Sequence, residues 1–311
     1  MMENRIVAKR GFVTIATGAQ KYYQMAFDLL NSYRANGNSS LPFALICDRD
    51  CEESRAFDHV VMISQPHHSY MDKLQLYQYT PFEETIFIDA DALFLREADI
   101  LWEDFSPMDD FSCYGRTLPL ESRHGWFYYQ DMGDLKDQLS FGISMHGGLY
   151  YLRKTERCKQ VFDAALDAVE HFDQYTFTGF TKPADEPVLA LAMVLKECKP
   201  CNRMDRIVFF PIHEGKLKIT AKGQLLLNKF PIQPVIFHVG NWHLGRYIFQ
   251  FLREQVYQRR AGKDGSLNLM QRIKLRLRCL PVDADRFIRR VARTYLPTNL
   301  IRQIKAGMHK K

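Results

Sequence analysis

The chain has 311 residues, of which 46% are hydrophobic and 25% are charged, and its formal net charge is +6, as in many ordinary globular proteins. No stretch has the length and apolar character of a signal peptide or of a bilayer-spanning helix, so the sequence predicts neither secretion nor membrane insertion. The seven cysteines are scattered and odd in number, which argues against a disulfide framework and favours the reducing cytoplasm.

The positive charge is concentrated at one end of the chain. Residues 246–311 contain 17 lysines and arginines and 4 aspartates and glutamates, a net charge of about +13. The residues before 246 therefore carry a net charge of about −7. We expect a mildly acidic globular domain followed by a strongly basic tail.

The first ninety residues alternate between apolar stretches typical of buried strands and stretches with helical periodicity. Strands are predicted over residues 11–17, 42–47, 59–63 and 85–88, and helices over residues 22–36 and 72–79. This alternation predicts right-handed strand–helix–strand units. The expected fold class is α/β, with a mostly parallel central sheet flanked by helices.

The later elements continue this pattern around one long irregular segment. Helices are predicted over residues 98–105 and 155–172 and from Asp185 onwards, and strands over residues 111–115, 143–152, 207–212 and 235–239. Residues 116–140 have no clear period and are interpreted either as a lid or acceptor loop or as a packed surface loop. Gly147 and Gly148 interrupt a strand, and glycines there often mark the close approach of a ligand to the backbone.

Asp89 and Asp91 interrupt an apolar run at the end of the fourth strand. Residues two apart in extended chain lean to the same side, so both carboxylates can reach one cation. Mg²⁺ and Mn²⁺ prefer oxygen ligands and commonly bridge to substrate phosphates. We therefore predict a metal-bridged phosphate site at this strand end, where open α/β sheets usually bind ligands. The alternative is that both aspartates only cap the following loop.

The same tripeptide, Asp-Ala-Asp, occurs again at residues 283–285, where no strand leads into it. Pro281 is expected to break the helical pattern before it, and a series of arginines follows it. We interpret this copy as the first turn of a basic helix, where acidic side chains interact favourably with the helix dipole.

Several separated stretches together resemble one enzyme family. They are Phe-Val-Thr-Ile-Ala-Thr at 12–17, Lys73 with Ile-Phe-Ile-Asp-Ala-Asp-Ala-Leu-Phe at 86–94, His-Gly-Gly-Leu-Tyr-Tyr at 146–151, Asp-Glu at 185–186 and Ile-Phe-His-Val-Gly at 236–240. In this order and spacing the chain resembles glycosyltransferase family 8, the glycogenin and lipooligosaccharide galactosyltransferase-like enzymes, over roughly residues 10–247.

The resemblance implies a GT-A catalytic domain over residues 1–247. It also implies retaining transfer of a hexose from a UDP-sugar to a glycolipid or polysaccharide acceptor, with Mn²⁺ or Mg²⁺ as the cofactor. The implied metal ligands are Asp89, Asp91 and His238. The implied nucleotide-binding residues are Thr17, Tyr22, Lys73, Asp89, Ala90 and Asp91, and the implied sugar-binding residues are His146, Gly147, Gly148, Asp185 and Gly240. Asp185 and Glu186 are the implied catalytic pair.

Several positions depart from the family pattern. Glu186 stands where glutamine is usual, and its carboxylate is either a nucleophile or ion-pair stabiliser, or only an acid in the first turn of a helix. His146 replaces an asparagine. The family's lysine after the closing histidine is missing, so His243 or Arg246 is expected to supply the cation on the phosphate side. For His238 the alternative is a core histidine bonded to the backbone.

Two other functional classes stay open. A sugar-nucleotide pyrophosphorylase also has an α/β sheet and an acidic metal site, but it would need a glycine-rich phosphate loop after the first strand. Gly18 is the only glycine there. The non-enzymatic alternative is a catalytically degenerate protein that binds a sugar nucleotide or scaffolds a partner, in line with the substitutions at 146 and 186 and with the missing lysine.

Residues 248–311 are predicted to form a basic amphipathic helical tail. From Leu267 onwards apolar side chains alternate with arginines and lysines, and this pattern continues to Leu300 and Ile304. Such helices adsorb to anionic bilayer surfaces, so we expect a cytoplasmic protein that is peripheral on the inner face of the cell membrane. No nucleic-acid module is recognisable, so no nucleic-acid partner is expected. The alternative is a solvated helical hairpin packed on the catalytic domain.

Overall fold

The computed structural model describes residues 6–122 and 124–295. These residues form two compact units that alternate along the chain. The first contains the described chain up to Phe210 and the segment Gln233–His238, and the second contains Pro211–Ile232 and the described chain from Val239 onwards. The predicted division into a catalytic domain over 1–247 and a tail over 248–311 follows a different boundary and stays a prediction.

The strands of the described chain are numbered in chain order. They are β1 (Ala8–Ala16), β2 (Phe43–Cys47), β3 (His59–Met62), β4 (Phe82–Ile88), β5 (Ala92–Phe94), β6 (Phe111–Leu118), β7 (Gly142–Arg153), β8 (Ile207–Phe209), β9 (Leu217–Ile219), β10 (Leu225–Leu227), β11 (Phe230–Ile232) and β12 (Ile236–His238). The first unit is built on a six-stranded sheet with the order β3-β2-β1-β4-β7-β6. Strands β1 to β4 are parallel, whereas β7 runs antiparallel to both β4 and β6. The predicted mostly parallel α/β sheet is confirmed.

Helices cover both faces of this sheet. They are α1 (Gln20–Ser32), α2 (Leu76–Tyr79), α3 (Asp99–Phe105), α4 (Glu156–Glu170) and α5 (Asp185–Leu195). The buried side chains of α1 and α3 share one apolar cluster with the sheet, and those of α2, α4 and α5 share another. The central sheet therefore lies between two helical layers.

The last three residues of the central strand β4, residues 86–88, are apolar because this part of the strand is buried on both faces. Phe87 packs into the cluster with α4 and α5, whereas Ile86 and Ile88 pack into the cluster with α1 and α3. Successive side chains of a strand point to opposite faces, so the part of a strand that lies between two helical layers is apolar at successive positions. Burying each such side chain stabilises the fold by about 1.5–3 kcal/mol.

A small second sheet in the first unit has the order β5-β12-β8. Strand β12 runs antiparallel to β5 and parallel to β8. The strands predicted over 207–212 and 235–239 are thus present in shorter form, but outside the central sheet. Strand β8 ends at Phe209 and a 3₁₀ turn over Phe210–His213 follows, because Pro211 has no N–H to donate to a ladder.

The segment predicted as irregular, residues 116–140, is partly a continuation of β6 and partly short 3₁₀ turns at Tyr129–Asp131 and Gly133–Gln138. Phe127, Met132 and Leu139 are buried in the same cluster as α4 and α5. Because the segment contributes to the core, the structure favours the interpretation as a packed surface loop.

The second unit contains an antiparallel sheet with the order β11-β10-β9 and the helices α6 (Tyr247–Arg260) and α7 (Leu269–Tyr295). The two helices pack through an apolar cluster of Tyr247, Phe251, Leu267, Leu275 and Cys279. Among the described residues, no helix combines the length and the apolar character needed to cross a membrane.

The prediction that Pro281 ends one helix and that residues 283–285 begin another is wrong. Helix α7 continues through Pro281, and Asp283 lies in its middle, where it forms an ion pair with Arg246. The proline removes one hydrogen-bond donor, which costs about 3 kcal/mol. Packing of α7 on α6 and the ion pair beyond the proline offset this cost. The predicted apolar positions Leu300 and Ile304 lie outside the described residues.

Candidate functional site

Two carboxylates stand at the carboxyl end of β4, where the chain leaves the central sheet. The backbone N–H of Asp89 donates to the carbonyl of Gly148 at 2.9 Å, which extends the pairing of β4 with β7 by one residue. Ala90 and Asp91 follow, and β5 begins at Ala92. The side chains of Asp89 and Asp91 are 18% and 14% exposed, so both carboxylates are largely removed from water.

His238 lies beside these carboxylates because of the way β12 pairs with β5 in the small sheet. It ends β12 and pairs with Ala92 of β5, the residue directly after Asp91. Its Nε2 lies 2.9 Å from Oδ1 of Asp91 and 3.7 Å from Oδ2 of Asp89. The fold thus brings a histidine from the end of the first unit to the two aspartates of its central strand.

Asp89, Asp91 and His238 together fit a divalent cation. One potential ligand atom from each lies within 4.8 Å of the others. Two carboxylates and one imidazole suit Mn²⁺ or Mg²⁺, and such sites commonly take their remaining ligands from substrate phosphates. Burial raises the pKa of Asp89 above its ordinary value despite nearby Lys73 and His238, and a bound cation would favour its ionised form.

Lys73 is the cation closest to this group. It lies in a 3₁₀ turn, Tyr70–Gln75, and its Nζ is 2.9 Å from Oδ1 of Asp89 and 2.9 Å from Oδ2 of Asp185. It also donates to the carbonyl of Gly147 at 2.9 Å. Burial alone would lower the pKa of Lys73, but the carboxylates of Asp185 and Asp89 outweigh it, so the pKa is raised and the ammonium stays charged.

Asp185 and Glu186 form the first turn of α5, where acidic groups interact favourably with the helix dipole. Asp185 accepts from the hydroxyl of Tyr150 at 2.9 Å in addition to its contact with Lys73. Glu186 accepts from the backbone N–H of Gly147 at 2.7 Å. Burial, followed by the charge of Asp185, raises the pKa of Glu186 to about 7. Glu186 therefore faces the site as a carboxyl group that is half ionised near neutral pH.

The two glycines of β7 make room for side chains of the site itself. A Cβ atom added to Gly147 would lie 2.1 Å from Cγ of Glu186, and one added to Gly148 would lie 2.5 Å from Nδ1 of His238. These contacts are far shorter than real Cβ contacts. The sequence predicted that a ligand approaches the backbone at these glycines. In the structure, the side chains of Glu186 and His238 approach it there.

His146 lies directly behind His238. Their rings are 5.0 Å apart, and Nε2 of His146 is 3.3 Å from Nδ1 of His238. Nδ1 of His146 accepts from the N–H of Gly148 at 3.0 Å. Burial, and then the neighbouring His238 and Lys73, lower the pKa of His146, so it is neutral. Its predicted contact with the sugar stays a prediction, but its observed contact is with a candidate metal ligand.

The predicted nucleotide residues Thr17 and Tyr22 lie at the same sheet edge, after β1 and in α1. The hydroxyl of Thr17 donates to Asp72 at 2.7 Å, and Asp72 also accepts from the N–H of His67 at 2.6 Å. Asp72 is only 1% exposed, and it ties the loop after β3 to the end of β1.

Sequence reasoning missed Asp72, Tyr150 and Asp48 as supporting residues. Asp48 follows β2 and accepts from the N–H of Gly18 at 2.8 Å and from the hydroxyl of Tyr23. The available signals were local: Asp48 ends an apolar strand, and Asp72 precedes Lys73. Tyr150 carried no such signal, because a tyrosine in a buried strand is usually core.

Gly240, His243 and Arg246 belong to the second unit. Gly240 has a φ of 71°, a conformation that favours glycine, and its carbonyl accepts from the N–H of His243 at 2.8 Å. Arg246 forms ion pairs with Glu214 and Asp283. Its predicted role on the phosphate side, like that of His243, stays a prediction, and its charge is already paired within its own unit.

Comparisons with known proteins identify the fold. No protein-family model matches the sequence, and no curated protein matches it. The structure is similar to the galactosyltransferase LgtC in complex with donor and acceptor sugar analogues, with a TM-score of 0.52 and 12% identity over 85% of this chain and 99% of that chain. The chain has the GT-A glycosyltransferase fold.

Two further structures support the GT-A fold. An LgtC active-site mutant, in which a glutamate replaces a glutamine, gives a TM-score of 0.51 and 13% identity over 81% of this chain and 95% of that chain. The glycosyltransferase GlyE of Streptococcus pneumoniae TIGR4 gives 0.50 and 12% over 89% of this chain and 64% of that chain. The GT-A fold predicted from the sequence motifs is confirmed, and similarity at this level of identity concerns the fold alone.

Proposed function

We propose that the protein is a retaining glycosyltransferase that moves a hexose from a UDP-sugar to a glycan or glycolipid acceptor, with Mn²⁺ or Mg²⁺ as cofactor. The observation that carries this proposal is the convergence of Asp89, Asp91 and His238 at the carboxyl end of β4 in a GT-A fold. Sheets of this kind bind their ligands at that edge.

In this proposal Asp89, Asp91 and His238 would hold the cation that binds the diphosphate of the donor. When bound, the cation neutralises the negative charge that builds on the departing UDP. Both carboxylates are largely shielded from water, and electrostatic stabilisation is stronger in such an environment than in solvent.

Lys73 and Asp185 would orient the transferred sugar. The Lys73 ammonium is a preorganised cation beside Asp89, and Asp185 is fixed by Lys73 and by the Tyr150 hydroxyl. A carboxylate held in this way can accept hydrogen bonds from sugar hydroxyls without having to reorganise, which is how positioning lowers a barrier.

Glu186 would act on the reacting face of the sugar. A carboxylate placed there stabilises the positive charge that develops at the anomeric carbon, either as an ion pair or as a nucleophile. The hydrogen bond from Gly147 fixes the direction of its Oε1. This contact favours a role in the site over that of a solvated first-turn acid.

The test is calorimetric binding and turnover with a panel of UDP-sugars, with and without Mn²⁺. We expect one UDP-sugar to bind in a metal-dependent way and to be turned over by the wild-type protein but not by Asp91→Asn. Asp173→Asn, which removes an exposed carboxylate of the same unit, serves as the control and should leave turnover unchanged.

The outcomes separate the competing functions. Metal-dependent donor binding without turnover of any donor would favour a degenerate sugar-nucleotide-binding protein. Release of pyrophosphate from a sugar 1-phosphate and UTP would instead indicate a pyrophosphorylase. No response to any uridine nucleotide would leave only the fold in common with these enzymes.

We further propose that α7 attaches the protein peripherally to the inner, anionic face of the cell membrane. The helix exposes apolar side chains on a basic background: Leu269, Met270, Ile273, Leu277, Leu280, Phe287 and Ile288 are each at least 44% exposed. Burial of these side chains and attraction of the arginines to anionic lipid would add together. Flotation with anionic liposomes tests this, and a protein that stays unbound would contradict it.

A further inference from the structure

A cleft in the second unit lies between α7, the start of α6 and the turn that follows β9. Its volume is about 170 Å³. Tyr247 and Ile219 line it; Tyr247 belongs to the apolar cluster that joins α6 to α7, and Ile219 packs against that cluster. Leu269 and Ile273 also line it and are 65% and 44% exposed. The cleft therefore combines a fixed apolar base with an exposed apolar rim.

Two arginines of α7, Arg272 and Arg276, also line this cleft. Nε of Arg272 is buried and has no hydrogen-bond partner among the described residues. The guanidinium of Arg276 lies 4.0 Å from the ring centroid of Tyr247, where the aromatic face holds it in place. A buried guanidinium N–H without an acceptor is costly, so the cleft is electrostatically incomplete without an anion.

Other arginines of α7 have hydrogen-bond acceptors. Arg278 is 3.2 Å from Glu254 of α6, and Arg286 donates to the carbonyl of Trp242 at 2.6 Å. Acceptors are thus present for these two other arginines of α7. Within the described residues Nε of Arg272 has no such acceptor, and Arg10, whose buried Nε also has none, forms an ion pair with Glu84 through another guanidinium nitrogen.

We infer that this cleft binds the phosphate of an anionic phospholipid headgroup at a bilayer surface, best when that phosphate is a monoester. The planar guanidinium fork matches two phosphate oxygens, and two arginines balance the two charges of a monoester. Leu277 and Leu280 continue the exposed apolar rim along α7, on the side where acyl chains would lie. This inference rests on the proposed membrane attachment and adds a defined headgroup site to it.

The experiment compares vesicles that have equal surface potential but different chemistry. One phosphatidylcholine vesicle carries phosphatidate and the other carries a fatty-acid carboxylate, adjusted until their zeta potentials match. Adsorption through diffuse charge alone is equal on both. We expect the full-length protein to bind the phosphatidate vesicle about tenfold more tightly, the factor typical of one charge-assisted hydrogen bond.

Three variants distinguish binding of the headgroup in the cleft from adsorption through the overall positive charge of the helix. Lys274→Gln removes an exposed charge of the same helix outside this cleft. It should weaken binding to both vesicles by about fivefold and keep the preference for phosphatidate. Arg272→Gln should weaken binding to both vesicles and should also lose the preference for phosphatidate. Arg272→Lys keeps the charge but not the planar fork, so it should lose the preference while binding carboxylate vesicles as the wild type does.

Each contrary outcome overturns the inference in a recognisable way. Equal wild-type binding to both vesicles leaves peripheral attachment intact but removes the headgroup site. Binding to neither removes membrane attachment as well, while UDP-sugar turnover remains a separate measurement. If millimolar inorganic phosphate binds in an Arg272-dependent way while the phosphatidate vesicle is bound no more tightly than the carboxylate vesicle, the cleft takes free phosphate and not a lipid. Arg272→Lys keeping the full preference would also contradict the assignment.

Discussion

Gly147 and Glu186 depend on each other at the scale of single residues. The glycine supplies both the N–H that Glu186 accepts and the space that the Glu186 side chain fills. A strand interior is otherwise a poor place for glycine, which weakens it. The position is therefore best explained by the site and not by the sheet.

Gly147→Ala should lower turnover strongly and stability moderately. The added Cβ would lie 2.1 Å from Cγ of Glu186, so Glu186 must move and overpacking should cost about 1–3 kcal/mol in the free energy of unfolding. Turnover and melting temperature are the measurements. In the double variant Gly147→Ala with Glu186→Ala, the melting temperature should recover while turnover stays low. A double variant no more stable than Gly147→Ala would show that the clash lies elsewhere.

Glu186 should also give the reaction a pH dependence near neutrality. Burial and Asp185 raise its pKa to about 7, so in the free enzyme the carboxylate form increases as the pH rises through this value. If the carboxylate is the working form, kcat/KM should fall about tenfold for each pH unit below the pKa. In Glu186→Gln the profile should be low and flat across this range. If Glu186→Gln keeps the wild-type rise of kcat/KM with pH, the titrating group is not Glu186.

At the scale of elements, the three-residue strand β12 positions His238 beside Asp91. Ile236 of β12 is fully buried and packs in the cluster with α1 and α3. Ile236→Ala should cost about 2–5 kcal/mol in the free energy of unfolding and should also weaken Mn²⁺ binding. Ile46→Ala in β2, a similarly buried isoleucine away from the site, is the matched control. Equal Mn²⁺ affinity in the two variants would show that β12 does not position a ligand of the metal site.

The predictability of an element from sequence followed its length and its burial. The end of strand β4 was predictable because it is apolar on both faces, and α4 because Val161, Phe162 and Ala165 recur at helical spacing. Strand β12 was predicted within residues 235–239, whereas β5 has three residues, too few for any period, and the pairing of β12 with β5 depends on tertiary packing. The unbroken course of α7 past Pro281 depended on contacts with Arg246, which no local pattern contains.

The candidate site was predictable as separate pieces but not as an arrangement. Asp89 and Asp91 stood out because carboxylates interrupt a buried strand. His238 could be added only through the family resemblance, because its contact with Asp91 arises from the β12–β5 register. The contact of Lys73 with both Asp89 and Asp185 joins three distant segments, and single-sequence patterns carry no information on such pairs.

At the scale of the whole molecule, ligand binding should stabilise the first unit. A ligand at 100 times its Kd that binds only the folded state adds about 2.7 kcal/mol to the free energy of unfolding. UDP with Mn²⁺ should therefore raise the melting temperature, and a chelator should reverse the effect. Hydrogen exchange should slow at Asp89–Phe94 and at β12 and change little at β3. Uniform protection over all strands would indicate that the cation binds elsewhere.

The order of the two units along the chain has a consequence for how the protein can be divided. Strand β12 fills the place between β5 and β8, yet it follows the whole of Pro211–Ile232, which belongs to the second unit. A fragment that ends at Phe210 would keep Asp89 and Asp91 but would leave β5 and β8 with unpaired backbone groups facing an empty place one strand wide. Such edges recruit other chains. The first unit is therefore expected to aggregate when cut at its apparent end, and a peptide with the sequence of residues 233–239 is the natural additive to rescue it.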